Sequence, residues 1–322
     1  MKYPPIESVI ETSKRIADHV IRTPTVPYYG LTGLDTLLPD TKVWLKMELT
    51  QRTGSFKARG ALNVLMHLDE ARRANGVTAF SAGNHAIATA FAARVIGTSA
   101  RVVMPKTANP YRVACCKALG ADVEFGEDIS ELISIVNNLQ RDEGRTMVHP
   151  FEGQHTFEGT ATIGLELCND IPDLDAVIVP VGGGGLIAGI AAAVKQLNSN
   201  CLVFGVEPEG AQGMSQSLKN GAPLDQVSVN TIADSLGAPM HLPESYAIVE
   251  SLVDDLVTVS DDQLRSVMRS MLTDLNLCVE PACASAMTAL LHPLRERLGG
   301  KRVAIILCGS NIDLNTFNRI VE

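Results

Sequence analysis

Three short turns in this sequence combine glycine or serine with side chains that could do chemistry, and the first of them carries a lysine. Gly54-Ser55-Phe56-Lys57 opens a helical pattern that runs to Leu65, with Ser55 suited to the N-cap. A lysine in the first helical turn is electrostatically unfavourable, because the helix N-terminus carries a partial positive charge. Lys57 is therefore either a solvated surface residue or a buried amine of depressed pKa, which is what a Schiff-base lysine needs.

The second turn, Ser81-Ala82-Gly83-Asn84-His85, follows a predicted strand and opens a helix of small residues. Free backbone N–H groups at the start of such a helix form an anion site, and Ser81, Asn84 and His85 add side-chain donors. This turn is either an ordinary helix cap or a pocket for a carboxylate or a phenolate.

The third turn is a run of four glycines, residues 182–185, between a buried strand and an apolar helix. Such a run lets backbone amides converge on a phosphate. No Lys-Ser/Thr pair follows, so nucleoside-triphosphate chemistry is disfavoured. Gly183, Gly185 and Ala188 also fit the pattern G-x-G-x-x-A, and Glu207 ends the next strand. A nicotinamide-dinucleotide oxidoreductase is therefore an alternative for this region taken alone.

The joint occurrence of the three turns favours one ligand. A dinucleotide site would use the glycines but would leave Lys57 and the turn at 81–85 without a role. A small phosphorylated aldehyde uses all three, with its phosphate on the glycines, a Schiff base to Lys57, and a ring hydroxyl and substrate carboxylate near the turn at 81–85. The residues thus predict the cofactor pyridoxal 5′-phosphate.

The turns must be held in place by alternating strands and helices. Short aliphatic runs, typical of buried strands, alternate with segments of helical period along most of the chain. We expect an α/β protein with two open, mostly parallel sheets. A small α/β domain at residues 76–149 would be inserted into a larger domain of residues 1–75 and 150–322, with the ligand in the cleft between them. The predicted strands are Val43–Met47, Val77–Phe80, Ala100–Met104, Asp122–Phe125, Thr146–His149, Ala176–Val181, Leu202–Glu207, Leu256–Val259 and Arg302–Leu307.

Composition excludes several classes of partner. The 322 residues carry 36 acidic and 27 basic side chains, a formal net charge of −9, with no run of Lys and Arg. We therefore expect neither nucleic acid nor a membrane surface as a partner. The uncharged segment 176–194 contains Pro180 and the four glycines, which favour a strand, a turn and a helix over a membrane span.

The seven cysteines are an odd number, and none has the spacing of a zinc site. The opening segment has Pro4, Pro5 and Glu7 where a signal peptide needs an apolar stretch. We expect reduced thiols, a cytoplasmic location and no metal site.

Over nearly its whole length the chain resembles the serine/threonine dehydratase and serine racemase family, fold-type II pyridoxal-phosphate enzymes similar to the tryptophan synthase β chain. The matching motifs occur in the family's order. They are Gln51–Lys57, Ser81–His85, the glycine run 182–185, Val206–Pro208, Thr231–Asp234, Val279–Pro281 and Cys308–Asn311.

The resemblance implies a role for each matching residue. Lys57 would hold the cofactor and, once released by the substrate, shuttle the α-proton, with Phe56 flanking the cofactor and Asn84 bonded to its ring hydroxyl. The residues whose amides would hold the phosphate are Gly182, Gly183, Gly184, Gly185 and Leu186. The residues that would bind the substrate carboxylate are Ser81, Gly83, Asn84 and His85.

Cys308 would face the pyridine nitrogen, where relatives often have serine. A thiol is a weak hydrogen-bonding partner, so the ring should stay unprotonated, which favours β-elimination over a long-lived carbanion. The other reading of Cys308 is a buried packing residue.

Three departures from the family pattern refine the expected activity. Ala82 stands where relatives that racemize have serine, and a methyl group cannot transfer a proton, so we expect negligible racemase activity. Gly213 replaces a carboxylate that follows Glu207 in metal-binding relatives, which depletes the oxygen ligands for a divalent ion. The stretch Glu158–Thr162 differs from the usual glycine-glutamine-glycine-threonine, so threonine need not be the substrate.

The sequence thus predicts a pyridoxal-phosphate-dependent ammonia-lyase for a β-hydroxy amino acid. Threonine or serine is the default substrate, with 3-hydroxyaspartate or a bulkier 3-hydroxy amino acid as options. A second substrate carboxylate would need a cation, for which Arg52, Arg59 and His241 are candidates. The alternatives are the nicotinamide-dependent oxidoreductase, an amino-acid racemase of the same family and an inactive relative. A homodimer is expected from the family.

Overall fold

The strands of this protein form two separate sheets. The structure is a computed structural model that describes residues 3–30 and 38–322. In chain order the strands are β1 (Thr25–Pro27), β2 (Lys42–Lys46), β3 (Val77–Phe80), β4 (Ala100–Pro105), β5 (Asp122–Gly126), β6 (Thr146–Met147), β7 (Ala176–Pro180), β8 (Leu202–Pro208), β9 (Asp255–Val259) and β10 (Arg302–Ile306).

The larger sheet has the strand order β1-β2-β10-β7-β8-β9, and every pairing in it is parallel except that of β1 with β2. β7 is buried at all five of its positions. Such a strand needs apolar cover on both faces, which in parallel sheets is supplied by the crossover helices.

The smaller sheet has the order β5-β4-β3-β6 and is parallel throughout. Val77 and Ala79 of β3 share an apolar cluster with Leu62 and Leu65, which precede the sheet in the chain. The helix that carries these two leucines therefore contributes to the core of the small sheet. The domain division at residues 76–149 stays a prediction.

Helices connect the strands and cover the sheets. Their bounds are α1 (Ile6–Ile16), α2 (Lys57–Met66), α3 (Glu70–Asn75), α4 (Asn84–Ile96), α5 (Pro110–Ala118), α6 (Ile129–Glu143), α7 (Gln154–Asp170), α8 (Gly185–Leu197), α9 (Gly213–Asn220), α10 (Pro243–Leu252), α11 (Asp261–Leu275), α12 (Pro281–Leu291) and α13 (Leu314–Val321). A search of the described residues for a helix long and apolar enough to cross a membrane found none.

The predicted α/β class and its two mostly parallel sheets are confirmed. All the predicted strands occur, with ends that differ by at most two residues. Sequence reasoning missed β1, which is only three residues long and too short to show a period, and which pairs antiparallel at the edge of the larger sheet.

Candidate active site

The lysine turn is held against the chain segment that follows β10. Phe56 N–H donates to the Cys308 carbonyl at 3.1 Å, and Ser310 N–H donates to the Gly54 carbonyl at 2.9 Å. These backbone bonds bring Lys57, the first residue of α2, close to Cys308, although 251 positions separate them in the sequence (308 − 57).

Lys57 has the surroundings of a reactive amine. Burial lowers its pKa to about 8, and the neighbouring Cys308 and Glu280 only partly oppose this effect. The Nζ atom donates a hydrogen bond to the Pro150 carbonyl and lies 5.1 Å from the centre of the Phe56 ring. Of the two interpretations of Lys57, the amine of depressed pKa fits, with a side chain that is partly buried, and the solvated surface residue does not.

The serine–histidine turn joins β3 to α4, with Gly83 just before the helix begins at Asn84. Ser81 Oγ accepts the Gly83 N–H at 3.1 Å. His85 lies 2.8 Å from the Val148 carbonyl through Nε2, and burial, reinforced by the charge of Lys57, lowers its pKa to about 3. His85 is therefore neutral at pH 7 and cannot offer a positive charge to a carboxylate.

The side chain of Asn84 is fixed on two sides. Its Nδ2 donates to Glu280 Oε1 at 2.7 Å, and its Oδ1 accepts from Asn311 Nδ2 at 2.7 Å. Asn311 Nδ2 also donates to the Thr53 carbonyl at 2.8 Å, which ties this amide to the turn that precedes the lysine. Asn84 thus has a defined amide orientation.

The glycine run lies between β7 and the start of α8 at Gly185. Gly184 has φ +92°, a backbone conformation that favours glycine. A Cβ on Gly183 would meet the Phe151 ring at 2.2 Å, and one on Gly185 would meet the Phe151 carbonyl at 2.6 Å. Only glycine lets the loop approach Phe151 this closely, and the free amides at the start of α8 then form a cradle for an anion.

One cleft brings the lysine, the second turn and the glycine run together. Its lining residues are Phe56, Lys57, Gly60, Ala61, His85, Pro150, Thr156, Thr160 and Gly185. The N-terminal ends of α2, α4 and α8 all contribute to it. Because a helix N-terminus favours negative charge, three such ends suit a phosphate and a carboxylate in one cleft.

Cys308 is buried, with 3% of its surface exposed. A hydrogen bond with Cys283 and burial together raise the pKa of its thiol well above the ordinary value. Cys308 therefore stays a neutral thiol and not a thiolate.

Sequence reasoning missed an ion-pair network beside Asn84. Arg112 on α5 donates to Asp234 at 2.5 Å and to the Asn311 carbonyl at 2.9 Å, and lies 3.4 Å from Glu280. Burial raises the pKa of Glu280 to about 7, against the opposing effect of Arg112. Asp234 and Glu280 belonged to recognised motifs without a stated role, whereas no pattern in the sequence marked Arg112.

Glu207 has a structural role. Its carboxylate accepts the N–H groups of Met214 at 2.8 Å and Ser215 at 2.9 Å, at the start of α9. Both oxygens are therefore taken by a helix N-terminus, and neither a ribose hydroxyl nor a cation is needed to explain this residue.

Two of the proposed cations for a second substrate carboxylate are already engaged. Arg59 is 1% exposed and bonds to the buried Glu48 and to Glu166. His241 lies 3.2 Å from the Gly182 carbonyl and 3.0 Å from Ser217 Oγ. Neither side chain is available to a dianionic substrate.

Comparison with known proteins gives a consistent result. A family model described as pyridoxal-phosphate dependent enzyme matches residues 16–309. A phenylserine dehydratase of Ralstonia pickettii is 49% identical over 92% of this chain and 90% of its own. An L-threonine ammonia-lyase of Thermotoga maritima is 36% identical over 97% of this chain and 77% of its own. The solved structure of a maize serine racemase superposes with a TM-score of 0.91 at 34% identity, over 98% of this chain and 95% of that one.

Proposed function

The chain belongs to the family of pyridoxal-phosphate-dependent enzymes, and from this premise we propose which residues carry its reaction and which substrate it takes. It is a lyase that uses pyridoxal 5′-phosphate to convert a β-hydroxy amino acid to a 2-oxo acid and ammonia. The nicotinamide-dependent alternative loses its support, since it rested on the glycine run and Glu207 alone.

The residues present fit this cofactor. The glycine run, which packs so closely on Phe151 that Gly183 and Gly185 leave no room for a Cβ, presents backbone amides that suit the phosphate, so the proposed phosphate ligands are the amides of Gly182 to Leu186. Lys57 would hold the cofactor covalently, Phe56 would lie beside it, Asn84 would bond its ring hydroxyl, and Cys308 would face its ring nitrogen. When bound, the cofactor supplies an electron sink that makes the α-hydrogen of the substrate acidic.

The roles of the chain's own residues follow from their protonation. Lys57, with a pKa near 8, has a substantial neutral fraction at physiological pH, and it takes the α-proton of the substrate. The amides at the start of α4, with Ser81, bind the substrate carboxylate, and neutral His85 closes the pocket behind them. Cys308, a neutral thiol, would offer the ring nitrogen only a weak hydrogen-bonding partner, which would favour departure of the β-hydroxyl.

For the substrate we propose a β-hydroxy amino acid with an apolar, aromatic β-substituent, of the 3-phenylserine type. The observation that supports this most directly is the 49% identity to a phenylserine dehydratase. A 3-hydroxyaspartate enzyme would need a cation in the cleft for the second carboxylate. Arg59 and His241 are engaged elsewhere, and the exposed Arg52 is not among the residues that line the cleft. Phe56, Ala61 and Pro150 give the cleft an apolar side.

A substrate panel tests this proposal. L-serine, L-threonine, both diastereomers of 3-hydroxyaspartate and 3-phenylserine are each incubated with the enzyme, and release of the 2-oxo acid is followed. We expect the highest kcat/KM for 3-phenylserine. A higher value for 3-hydroxyaspartate would overturn the proposed substrate class while leaving the reaction intact.

The variant Lys57→Ala tests the reaction itself. It should lose turnover by about 10³-fold or more, together with the visible absorbance of the bound cofactor. Lys106→Ala, which changes an exposed lysine paired with Glu127, is the matched control. Retention of both signals in Lys57→Ala would refute the proposed role of this lysine.

We also propose a homodimer located in the cytoplasm. The homodimer follows from the family resemblance. The location is supported by the seven cysteines, all of which are free thiols. Light scattering of the purified holoenzyme measures the assembly, and a monomer at every concentration would contradict it.

A further inference from the structure

A cluster of two histidines and a glutamate lies outside the catalytic residues. His67 follows the last residue of α2, and His155 and Glu158 occupy the first turns of α7. Each residue offers one ligand atom, and these atoms lie within 4.8 Å of one another. Glu158 belongs to the stretch in which the sequence departs from the usual dehydratase pattern, and the reaction gives it no role.

The hydrogen bonds around the cluster select the histidine nitrogens. His67 Nδ1 lies 2.7 Å from the Asn63 carbonyl, so it must carry a proton, and Nε2 is left with a lone pair. Nδ1 of His155 lies 3.0 Å from Glu158 Oε2, so Nδ1 is the nitrogen that faces the carboxylate, and a bound ion would replace the proton between these two atoms. A carbonyl that accepts from one ring nitrogen, as that of Asn63 accepts from His67, is a usual outer partner of a metal-binding histidine.

Charge and placement also suit a cation. Glu158 is buried and held by the amides of Asn63 and Gln154, and its one ion-pair partner among the described residues is His155. Arg15, which donates to Asn63 at 3.1 Å, is the positive charge that opposes a cation here.

We propose that His67, His155 and Glu158 form a binding site for one transition-metal dication of the zinc or nickel type. The imidazole rings are stacked, with centres 3.6 Å apart and planes within 6°. Because each lone pair lies in the plane of its own ring, both rings would turn out of this stack to place the donor atoms about 3.3 Å apart, the separation found around tetrahedral zinc. Two nitrogens and one oxygen favour zinc or nickel over magnesium, which takes oxygen ligands.

Occupancy of this site would join two helices that border the cleft. Gly60 and Ala61 of α2 and Thr156 and Thr160 of α7 line the same cleft as Lys57. A metal bound across the two helices would restrain their separation. The site is therefore placed to stabilise the walls of the cleft, without itself contacting the substrate.

Calorimetric titration of the chelator-treated holoenzyme with Ni²⁺ tests the proposal. We expect one high-affinity ion per chain, with affinity reduced at least tenfold in His67→Ala and in His155→Ala and unchanged in His292→Ala, which alters an exposed histidine elsewhere. The parent protein and all its variants in this titration carry Cys278→Ser, because Cys278 is exposed and its thiol could bind the metal. An unaltered far-ultraviolet spectrum and cofactor absorbance verify that each variant is folded.

Two readouts separate this site from incidental binding. Ni²⁺ should raise the midpoint of thermal unfolding in the parent protein and not in the double variant His67→Ala/His155→Ala. An excess of Mg²⁺ should leave Ni²⁺ binding unchanged. Equal binding by parent and double variant, displacement by Mg²⁺ or absence of binding to the parent would each overturn the proposal.

Discussion

At the scale of single residues, the chemistry of this protein depends on groups kept neutral by burial. Lys57 has its pKa lowered to about 8, and His85 and His149 have theirs lowered to about 3 and about 4. Cys308 is kept a thiol. A cleft lined by neutral donors and helix N-termini can bind a dianionic phosphate and a carboxylate without fixed cations that would compete for them.

Ala82 predicts the stereochemical outcome. A racemase needs a second acid–base group on the face opposite the lysine, and a methyl group cannot exchange a proton. We expect L-serine to give pyruvate with no D-serine, and any D-serine to appear only in Ala82→Ser. Chiral chromatography of the products measures this. D-serine formed by the parent enzyme at a rate comparable with elimination would contradict the prediction.

The buried histidines predict acid sensitivity. Burial, followed by the charge of Lys57, lowers the pKa of His149 to about 4. The unfolded chain, with a histidine pKa near 6.5, therefore binds more protons than the native protein between about pH 4 and 6.5. Stability should fall as pH decreases through this window.

Urea unfolding at pH 5 and at pH 7 measures the effect. His149→Gln should reduce the loss of unfolding free energy between the two pH values, because one buried histidine no longer has to become charged. His292→Gln, at an exposed position, is the control and should behave as the parent. An equal loss in His149→Gln and the parent would show that other groups control the acid transition.

At the scale of secondary-structure elements, the site depends on how closely helices approach the loops beside them. Gly185 begins α8 directly against the Phe151 carbonyl, and Gly159 of α7 lies so near Arg59 and Gly60 that a Cβ there would meet backbone atoms at 2.6 Å. The long crossover helices thus carry glycine where they border the cleft. These contacts set the position of the α8 N-terminus relative to Lys57.

Gly185→Ala tests this close approach. The added methyl would meet the Phe151 carbonyl at 2.6 Å and push the start of α8 away from the phosphate. We expect at least tenfold weaker binding of pyridoxal 5′-phosphate and a loss of about 1–3 kcal/mol in unfolding free energy. The control is Gly299→Ala, whose methyl would have its nearest neighbour at 3.7 Å. Absorbance titration with the cofactor and urea unfolding give both values.

At the scale of the whole molecule, one arginine links the smaller sheet to the larger part of the structure. Arg112 projects from α5, which connects β4 to β5 of the smaller sheet. Its partners Asp234, Glu280 and the Asn311 carbonyl all lie after residue 230 in the chain. Glu280 in turn holds Asn84. The contact between the two parts is thus coupled to the amide of Asn84, the proposed partner of the cofactor.

Removal of Arg112 should affect both stability and substrate binding. Arg112→Ala leaves the buried Glu280 without its cation, and we expect a loss of about 1–3 kcal/mol in unfolding free energy. KM should rise more than kcat falls, since Arg112 acts through Glu280 on the position of Asn84 and is not itself the proposed base. Arg101→Ala, which removes an arginine paired with Glu143 on the surface of the smaller sheet, is the control. An unchanged KM would show that Arg112 has no influence on the cleft.

Much of the architecture could be predicted from the chain alone. Aliphatic runs that alternate with segments of helical period predicted strands that the structure confirms. This works because a buried strand is one short segment, and its burial shows in the sequence as an unbroken run of hydrophobic residues. The three glycine or serine turns were also visible locally. β1 and the network of Arg112 were not, since a three-residue edge strand has no period and an ion pair across 168 positions leaves no local pattern.

The sequence by itself determined the class of fold and the cofactor type, and it indicated Lys57 and the loop proposed for the phosphate, because each depends on residue types within one short segment. Only the tertiary structure decided which charged side chains are already paired, how far burial shifts the pKa of each buried group, and which side chains surround Asn84. Arg59 and His241 were candidates for a substrate carboxylate until their partners were seen. Protonation and hydrogen-bond satisfaction depend on neighbours that are distant in the chain, and only the folded packing brings those neighbours together.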